Sequence, residues 1–279
     1  MTDRNMSARH SLFCWAVLTP LLLLNLFPFA VMLSTAAKPA DEVVSAAPAW
    51  LPSRIAWENA VGMWNSTGFG GALANSLYVA TVSTCITILV SVPAAYAMAR
   101  YRFRGRGGFR NFLLVTQMLS PIVLVPGLFR LAVLFGMLQS LNALVIVYAA
   151  FHIAFAVWML QNYFAGIPAE LEEAAALDGA TRVQIMLRVF MPLSAPGVAV
   201  AAVFSFVASW NEFGVALTLI GREDRHTLPV QIFSLVAGRY SVEWHYVMAA
   251  TLLATLPVAA VFLAVQRFMV RGLALGAIR

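Results

Sequence analysis

The sequence predicts an all-α membrane protein with six transmembrane helices, and two observations carry this prediction. Of the 279 residues, 61% are hydrophobic and only 11% are charged, whereas soluble domains contain about 25% charged residues. The apolar residues also form runs of about 20 residues or more, long enough to cross a hydrocarbon layer as helices. Because the runs are continuously apolar rather than alternating, they favour helices over the strands of a barrel.

Each long apolar run is interpreted as one predicted helix. The six runs are 12–35, 73–99, 112–133, 141–162, 195–220 and 246–268. Arg4 and Arg9 before the first run, and the small residues 34–36 at its end, also fit a signal peptide. A retained anchor is the preferred interpretation, because the run exceeds the roughly 7–15 apolar residues of a signal peptide. The predicted organisation is a first helix with an external loop (1–70), a five-helix core (71–269) and a tail (270–279).

The distribution of basic residues predicts the orientation in the membrane, because cytoplasmic loops carry an excess of arginine and lysine. Placing the N-terminus inside puts twelve basic residues in the cytoplasm and six outside. The internal ones are Arg4, Arg9, Arg100, Arg102, Arg104, Arg106, Arg110, Arg182, Arg188, Arg267, Arg271 and Arg279; the external ones are Lys38, Arg54, Arg130, Arg222, Arg225 and Arg239. Both termini are therefore predicted to be cytoplasmic. The arginine-rich loop 100–110 is interpreted as a topology signal that contacts anionic membrane lipid, and no nucleic-acid partner is expected.

A polar, acidic segment interrupts the apolar runs between the fourth and fifth predicted helices. It contains Glu170, Glu172, Glu173 and Asp178. A charge at the centre of a bilayer costs about 3 kcal/mol or more, so this segment is predicted to lie outside the hydrocarbon. It is called the elbow below and comprises residues 166–192.

Local signals predict two short helices in the elbow. Pro168 suits the start of the first helix, and Gly179 can end it in a left-handed conformation. Thr181 is a candidate N-cap for a second helix from Arg182 to Phe190, after which Pro192 is expected to stop or turn the chain. Such an elbow suits docking into a groove on another protein, and an amphipathic loop lying on the membrane is the alternative.

The elbow also carries a motif. Glu173, Ala174 and Ala175 are followed after three residues by Gly179, and after nine more by residues 189–192, Val-Phe-Met-Pro. This spacing resembles the EAA loop of ABC-importer permeases, with valine and methionine in place of the usual isoleucine and leucine. Residues 75–77, 210–213, 227–230 and 272–279 are similar to segments of carbohydrate-uptake permeases of the maltose-permease type. The resemblance covers about residues 70–279 and implies the type I ABC-importer permease fold.

The resemblance implies a multi-pass subunit of the cell (inner) membrane that forms half of the translocation path for a sugar or polyol. Its implied partners are a second related permease, two copies of a cytoplasmic ABC ATPase and an extracytoplasmic solute-binding protein. A coupling helix in the elbow would dock on one ATPase, with Glu173 pairing with a basic residue there and the tail 272–279 also reaching the ATPase. The implied coupling residues are Glu173, Ala174, Ala175, Asp178, Gly179, Ala180 and Arg182.

The chain itself is not expected to be an enzyme or to hold a cofactor. A phosphate-binding P-loop needs a lysine beside serine or threonine, and Lys38, the one lysine, lies in a predicted external loop. ATP and Mg are therefore expected on the partner ATPase. Cys14 and Cys85 fall in predicted helices and have no metal-ligand spacing.

Glu212 is the one acidic residue inside a predicted span, and intramembrane carboxylates are functional candidates by default. With Asn211 and Trp210 it offers amide and aromatic groups that suit a hydroxyl-rich solute. Interhelical hydrogen bonds at the interface between two permeases are an equal alternative. Weaker candidates for the solute path are Gln117, Ser120 and Asn162.

The predicted external loop 221–244 has mixed charge, including Arg222, Glu223, Asp224 and Arg225. It is either a solvated loop or, by the resemblance, a contact for the solute-binding protein, because mixed charge suits a steered, transient interface.

Two other functions compete. An ion-coupled secondary transporter of small polar solutes would need paired intramembrane charges and usually shows inverted repeats, and neither is recognisable. An intramembrane hydrolase could use His152 with a serine of another predicted helix, but it is disfavoured because the sequence contains no glycine-flanked nucleophile motif such as GxSxG. The resemblance leaves the solute open, and the scarcity of basic residues in the spans favours an uncharged sugar or polyol over a phosphate ester.

Overall fold

A computed structural model describes residues 3–45, 49–237 and 240–276, and the side chains of residues 3–10, 12 and 267–276 lie outside that description. The described part is helical, without strands. It divides into two compact units, one of residues 1–69 and 232–255 and the other of residues 70–231 and 256–279.

The first unit contains the N-terminal helix α1 (Asp3–Ala37), followed by α2 (Ala40–Val43) and α3 (Glu58–Ser66). The last carbonyls of a helix have no partner within it. Asn59, which is buried at the start of α3, fills this need by donating to the carbonyls of Ala36 (2.8 Å) and Lys38 (2.7 Å). These two hydrogen bonds hold the start of α3 against the end of α1.

The remaining helices are α4 (Phe69–Arg100), α5 (Arg106–Gln117), α6 (Pro121–Leu134), α7 (Leu141–Ala165), α8 (Glu170–Leu177), α9 (Arg182–Gln184), α10 (Met191–Trp210), α11 (Gly214–Leu219), α12 (Leu228–Ser234) and α13 (Trp244–Gly276). In the described part, five helical stretches are long and apolar enough to cross a membrane, or six if one bent pair is counted as a span. The predicted runs 12–35, 73–99, 141–162 and 246–268 each lie within one long helix. The predicted tail begins within α13, and its side chains, with the backbone of 277–279, lie outside the described residues.

The prediction of one helix over 112–133 was wrong. Instead, α5 and α6 meet at a bend of 94°. Ser120 is extended there (φ −67°, ψ 129°) and Pro121 opens α6. A residue before proline is pushed out of the helical region, and proline fits the first position of a new helix. The Ser-Pro pair therefore separates the two helices.

The prediction that Pro192 ends the second helix of the elbow was also wrong. The chain stays helical from Arg182 to Trp210, through a π-helical stretch over Ile185–Phe190. Proline lacks an N–H and crowds the carbonyl four residues earlier. The wider π turn just before it, with the N–H of Met191 donating to the carbonyl of Met186, accommodates the ring without a break.

The predicted span 195–220 is interrupted near its other end. Helix α10 stops at Trp210, residues 211–213 are not helical, and the short α11 follows. The break leaves the first N–H groups of α11 in need of acceptors.

Helix α7 lies at the centre of the second unit's packing, because it contributes residues to two apolar clusters. One cluster packs Leu144 and Tyr148 of α7 against Val215 and Leu219 of α11. The other packs α7 against α4, the π-helical stretch and α10, and its members include Ala95, Met98, Val157, Leu160, Phe164, Phe190 and Ala201. A buried hydrogen bond of 3.0 Å between Ser83 and Ser209 also joins α4 to α10, a kind of polar link that is common between membrane helices.

Gly197 permits the close packing of α10 against α7. A Cβ atom at this position would lie 2.6 Å from Cδ1 of Tyr163. We expect Gly197→Ala to lower the free energy of unfolding by about 1–3 kcal/mol, because the ring must move within a packed interface. Thermal unfolding in detergent measures the effect. Gly127→Ala is the matched control, because nothing lies within 4 Å of its added Cβ; equal losses in both variants would contradict the packing argument.

Candidate functional site

The first helix of the elbow, α8, begins and ends with strong local signals. Its first turn carries Glu170, Glu172 and Glu173, which the positive end of the helix dipole stabilises. At its other end Gly179 adopts φ +82°. The N–H of Gly179 donates to the carbonyl of Ala176 and that of Ala180 to the carbonyl of Ala175, both at 3.1 Å, which is the Schellman arrangement of a helix end. The prediction that Gly179 ends this helix in a left-handed conformation is confirmed.

Thr181 starts the second helix of the elbow as predicted. Its hydroxyl accepts from the N–H of Gln184 at 3.4 Å, and the Gln184 side chain accepts from the N–H of Thr181 at 2.8 Å. This reciprocal pair is a capping box. Because a helix end and a helix start lie within four residues, the tip of the elbow has a fixed shape.

The elbow is anchored to the end of α4 by a charged pair. Arg100 Nε lies 2.5 Å from Glu172 Oε1, and the Tyr96 hydroxyl donates to Glu172 Oε2 at 2.7 Å. The two charged side chains are only 14% and 16% exposed. Arg100 also donates to the carbonyl of Ile167 at 2.8 Å and stacks over the ring of Phe190. The pair therefore joins α4, both ends of the elbow and the π-helical stretch.

Sequence reasoning did not assign this anchoring role to Arg100 or Glu172. The sequence places Glu172 among the acidic residues of the elbow and Arg100 among the internal arginines, and neither pattern predicts their contact. The two residues are 72 positions apart, and no local pattern connects them.

The implied coupling residues remain largely available on the surface. Glu173, Ala174, Asp178, Gly179 and Arg182 are exposed, and Ala175 and Ala180 are half-buried. Apolar side chains accompany them: Leu177 is 90% exposed, Val183 62% and Leu187 56%. The guanidinium of Arg182 lies 5.5 Å from the ring centre of Tyr101. Exposed apolar side chains beside charged ones are typical of a surface that meets a partner.

Glu212 fills the break between α10 and α11. Its carboxylate accepts from the N–H groups of Val215 (2.8 Å) and Ala216 (3.2 Å), which are orphan donors of α11. The hydroxyl of Tyr148 on α7 donates to it at 2.5 Å. Glu212 thus ties two elements of the second unit together through its own side chain.

The other candidates for the solute path lie in different surroundings. Asn211 is exposed, whereas Trp210 is buried and stacks on Phe206. Gln117 is exposed and donates to the carbonyl of Phe151 at 3.4 Å. Among the described contacts, neither Trp210 nor Gln117 meets Glu212. Ser120 and Asn162 are exposed.

Residues 221–226 of the predicted external loop are tied to neighbouring elements. Arg222 pairs with Asp224 through two contacts of 3.0 Å, and this hydrogen bonding holds the pKa of the Asp224 carboxyl below its usual value. Arg225 donates to the carbonyl of Gln139 at 3.0 Å, and Asn75 donates to the carbonyls of Asp224 and His226. Sequence reasoning did not find the tethering role of Gln139.

An open, polar pocket of about 370 Å³ lies beside this segment. Its lining residues are Asn75, Tyr78, Ser140, Leu141, Asn142, Asp224 and Arg225. The hydroxyl of Tyr78 donates to Asn142 at 2.7 Å within it. Among the described residues, no group of three or more histidine, cysteine or acidic side chains is placed to hold a metal ion.

Residues 88–275 match the family model of the "binding-protein-dependent transport system inner membrane component". The chain belongs to this family. The match includes the elbow, α10, α11 and most of α13, whereas residues 75–77 and 276–279 lie outside it. The predicted family is confirmed, and the permease is a membrane component of a transport system, with ATP hydrolysis on a separate chain.

Curated relatives extend the similarity over the full length. The inner membrane ABC transporter permease protein YcjP of Escherichia coli is 34% identical and covers 100% of the permease and 99% of the relative. The diacetylchitobiose uptake permease DasC of Streptomyces coelicolor is 32% identical over 97% of the chain and 99% of its own length. The trehalose transport permease SugB of Mycobacterium tuberculosis is 32% identical over 98% of the permease and 100% of its own length.

Solved structures confirm the predicted fold. A chain of a bacterial ABC transporter that imports alginate superposes with a TM-score of 0.79, at 23% identity, over 96% of the permease and 98% of that chain. A chain of the MetNI methionine ABC transporter, in an inward-facing conformation, superposes with a TM-score of 0.59 at 19% identity. This superposition covers 76% of the permease and 98% of the MetNI chain. The fold is that of type I ABC-importer permeases.

The anchoring role of Glu172 is separable from any role in docking. We expect Glu172→Gln to lower the free energy of unfolding by about 3 kcal/mol, because the largely buried Arg100 guanidinium loses its counter-charge. Glu173→Gln is the matched control, since the same change at the next, exposed residue removes no described contact. Thermal unfolding of the purified permease compares them, and equal stability of the two variants would contradict the anchoring role.

Proposed function

We propose that this permease forms half of the translocation path for a sugar or polyol and transmits ATP-driven movement from a partner ATPase to that path. The proposed assembly contains a second related permease, two copies of a cytoplasmic ABC ATPase that bind ATP and Mg, and an extracytoplasmic solute-binding protein. The names of relatives that transport trehalose and diacetylchitobiose support the carbohydrate class.

The elbow is the proposed docking element, and the observation that carries this proposal is its exposed tip on a rigid base. Glu173 and Asp178 offer negative charge to a basic groove, and Leu177 offers apolar area. The small residues Ala174 and Ala175 allow the partner's backbone to approach closely. Arg182 lies at the start of the second elbow helix and completes the proposed contact set.

Two connections would transmit movement from the docked elbow. Arg100 and Glu172 join it to the end of α4, and the helix from Arg182 continues without interruption into α10. When ATP closes the ATPase dimer, the elbow moves with it and both helices follow. The solute path then changes from inward-facing to outward-facing as a two-state equilibrium biased by ATP.

Reversing the charge at the elbow tip tests the docking proposal. We expect Glu173→Lys to leave the permease in the membrane but to reduce the co-purified ATPase at least about tenfold, equivalent to about 1.4 kcal/mol of docking free energy. Glu170→Lys is the matched control, because it makes the same change three residues earlier, outside the proposed contact set. Normal ATPase recovery with Glu173→Lys would overturn the proposal.

The proposed solute path includes Asn211, Glu212, Trp210 and Gln117. Asn211 and Gln117 are proposed to contact the solute, and Glu212 and Trp210 to support the path. Asn211 is exposed at the break after α10 and suits direct hydrogen bonds to hydroxyl groups. Glu212 holds α11 in place, and Trp210 packs behind the break. Gln117 is exposed on α5 and extends the polar lining.

Substitutions at the break distinguish a residue that contacts the solute from one that positions α11. We expect Asn211→Ala to raise the KM for uptake several-fold with unchanged thermal stability, because it removes one or two exposed hydrogen-bonding groups worth about 1 kcal/mol. Glu212→Ala should reduce both uptake and stability, because α11 and Tyr148 lose their acceptor. Uptake by proteoliposomes containing the complete importer measures the first effect. Unchanged uptake in both variants would remove the break from the proposed path.

The segment with Arg222, Glu223, Asp224 and Arg225 is the proposed contact for the solute-binding protein. Its tethering by Gln139 and Asn75 supports this proposal, because a pre-positioned surface loses little conformational entropy on binding. In the proposed orientation both termini are cytoplasmic, and the tail 272–279 reaches the ATPase.

A further inference from the structure

The polar pocket of about 370 Å³ beside residues 221–226 is formed by three separate parts of the second unit. These parts are the first turns of α4, the start of α7 and the segment that follows α11. The polar lining residues are Asn75, Tyr78, Ser140, Asn142, Asp224 and Arg225. The volume falls within the range of about 300–1,000 Å³ that is typical of pockets for small molecules.

Hydrogen bonds between its walls hold the polar pocket in shape. The side-chain amide of Asn75 donates to the carbonyls of Asp224 (3.2 Å) and His226 (3.0 Å), which joins α4 to the segment after α11. The hydroxyl of Tyr78 donates to Oδ1 of Asn142 at 2.7 Å, which joins α4 to α7. A pocket that is already formed loses little conformational entropy when a ligand binds.

The pocket keeps hydrogen-bonding groups that the described contacts do not use. Asn75 uses its nitrogen and leaves Oδ1 as an acceptor, whereas Asn142 uses Oδ1 and leaves the two donors of its nitrogen. The Ser140 hydroxyl accepts from the N–H of Asn142, which leaves its own O–H as a donor. Arg225 donates through Nη1 to the carbonyl of Gln139, which leaves its other N–H groups. This mixture of donors and acceptors suits hydroxyl groups, because a hydroxyl both donates and accepts.

The pocket also has an aromatic wall and balanced charges. Tyr78 is 44% exposed, so part of its ring is open to the apolar face of a ligand. The two positive and two negative charges of residues 222–225 sum to zero, and Asp224 is paired with Arg222. A neutral ligand is therefore favoured, because a charged one would lose hydration without gaining an unpaired counter-charge.

We propose that the polar pocket is an entry subsite for a neutral sugar ring. Asn75, Asn142 and Arg225 bind its hydroxyl groups, and Tyr78 packs against its apolar face. The inference rests on the proposed function for the orientation, which makes this side of the permease extracytoplasmic, and for the hydroxyl-rich class of solute.

The polar pocket lies close to the break between α10 and α11. Asn142 precedes Tyr148 on α7 by a rise of about 9 Å, and Tyr148 donates to Glu212 at the break. Gln139 makes a second connection, because its N–H donates at 3.0 Å to the carbonyl of Leu219 at the end of α11. A sugar ring in the polar pocket is thus held just outside the proposed solute path.

Protection of an engineered thiol in the pocket tests the proposal. The permease carries Cys14→Ser and Cys85→Ser, which remove its own thiols, and Leu141→Cys at a lining position without a proposed hydrogen bond. In lipid nanodiscs, we expect methyl α-glucoside to slow alkylation of this thiol by N-ethylmaleimide in a saturable manner. Glu223→Cys is the matched control, because Glu223 is exposed in the same segment but does not line the pocket. Equal slowing at both positions, or none at Leu141→Cys, would overturn the proposal.

Removing one proposed hydrogen-bonding group should weaken the protection. We expect Asn142→Ala to raise the half-maximal concentration of methyl α-glucoside about fivefold, the factor for one hydrogen bond. Asn162→Ala is the control, because it makes the same change at an exposed position near the other end of α7. An unchanged half-maximal concentration with Asn142→Ala, or an equal rise with Asn162→Ala, contradicts the subsite.

If Asn142→Ala does not fold, the aromatic wall provides a second test. Tyr78→Ala removes the ring and should weaken protection more than Tyr78→Phe, which keeps it. Equal protection in these two variants would remove the ring from the subsite and contradict the proposal.

A charged probe tests the preference for a neutral ligand. Methyl α-glucuronide carries a carboxylate where methyl α-glucoside has a hydroxymethyl group, and it should protect the Leu141→Cys thiol less well. Stronger protection by the glucuronide would identify an anion-binding pocket and overturn the proposal.

The readout needs neither ATPase nor uptake, so failure of the subsite and failure of the proposed function are distinguishable. A permease that recovers its ATPase and imports sugar, but shows no protection, would contradict the subsite alone. Protection in a permease that recovers no ATPase would support the subsite and contradict the proposed coupling.

Discussion

The ion pair between Arg100 and Glu172 is the constraint on which the organisation of the elbow depends. Glu172 lies in the first turn of α8 and Arg100 ends α4, so their contact converts a solvent-exposed connection into an extension of the helical core. Tyr96 and Phe190 surround the pair and limit its contact with water. Removing one partner would leave a poorly solvated charge, which gives the elbow one preferred position. A docking element needs such a fixed attachment to α4, because movement of a docked ATPase reaches the membrane helices only if the elbow does not move independently of them.

Polar groups play the same positioning role at the other end of the second unit. The break after α10 exposes N–H groups that would be costly in a membrane, and Glu212 satisfies two of them while accepting from Tyr148. A single carboxylate thus makes irregular backbone tolerable and leaves Asn211 exposed beside it. An intramembrane carboxylate in a single sequence looks like a solute ligand, whereas its hydrogen bonds here are those of a helix cap. The two roles are compatible, since a cap that shapes the break also shapes any path that passes it.

The sequence predicted the features that depend on a few neighbouring residues. Gly179 and Thr181 were recognised because a left-handed glycine and an N-cap are specified within one turn of helix. Pro192 was misjudged because the π turn before it has no comparable local signal. The Ser120–Pro121 pair did carry a signal for the bend, but the continuous apolar run concealed it. The contacts of Arg100 with Glu172, and of Glu212 with Tyr148, join residues distant in the chain, so no pattern in a single sequence specifies them.

The central claim is that the tip of the elbow meets an ATP-hydrolysing chain. Site-specific photo-crosslinking in native membranes tests it most directly, with a photoreactive residue in place of Leu177, which is 90% exposed at the tip. The same residue in place of Trp57, exposed in the predicted external segment, provides the comparison. The account predicts that Leu177 crosslinks to a chain whose peptides contain a P-loop, and that Trp57 does not. Absence of that chain from the Leu177 product, or equal crosslinking from both positions, would contradict the account.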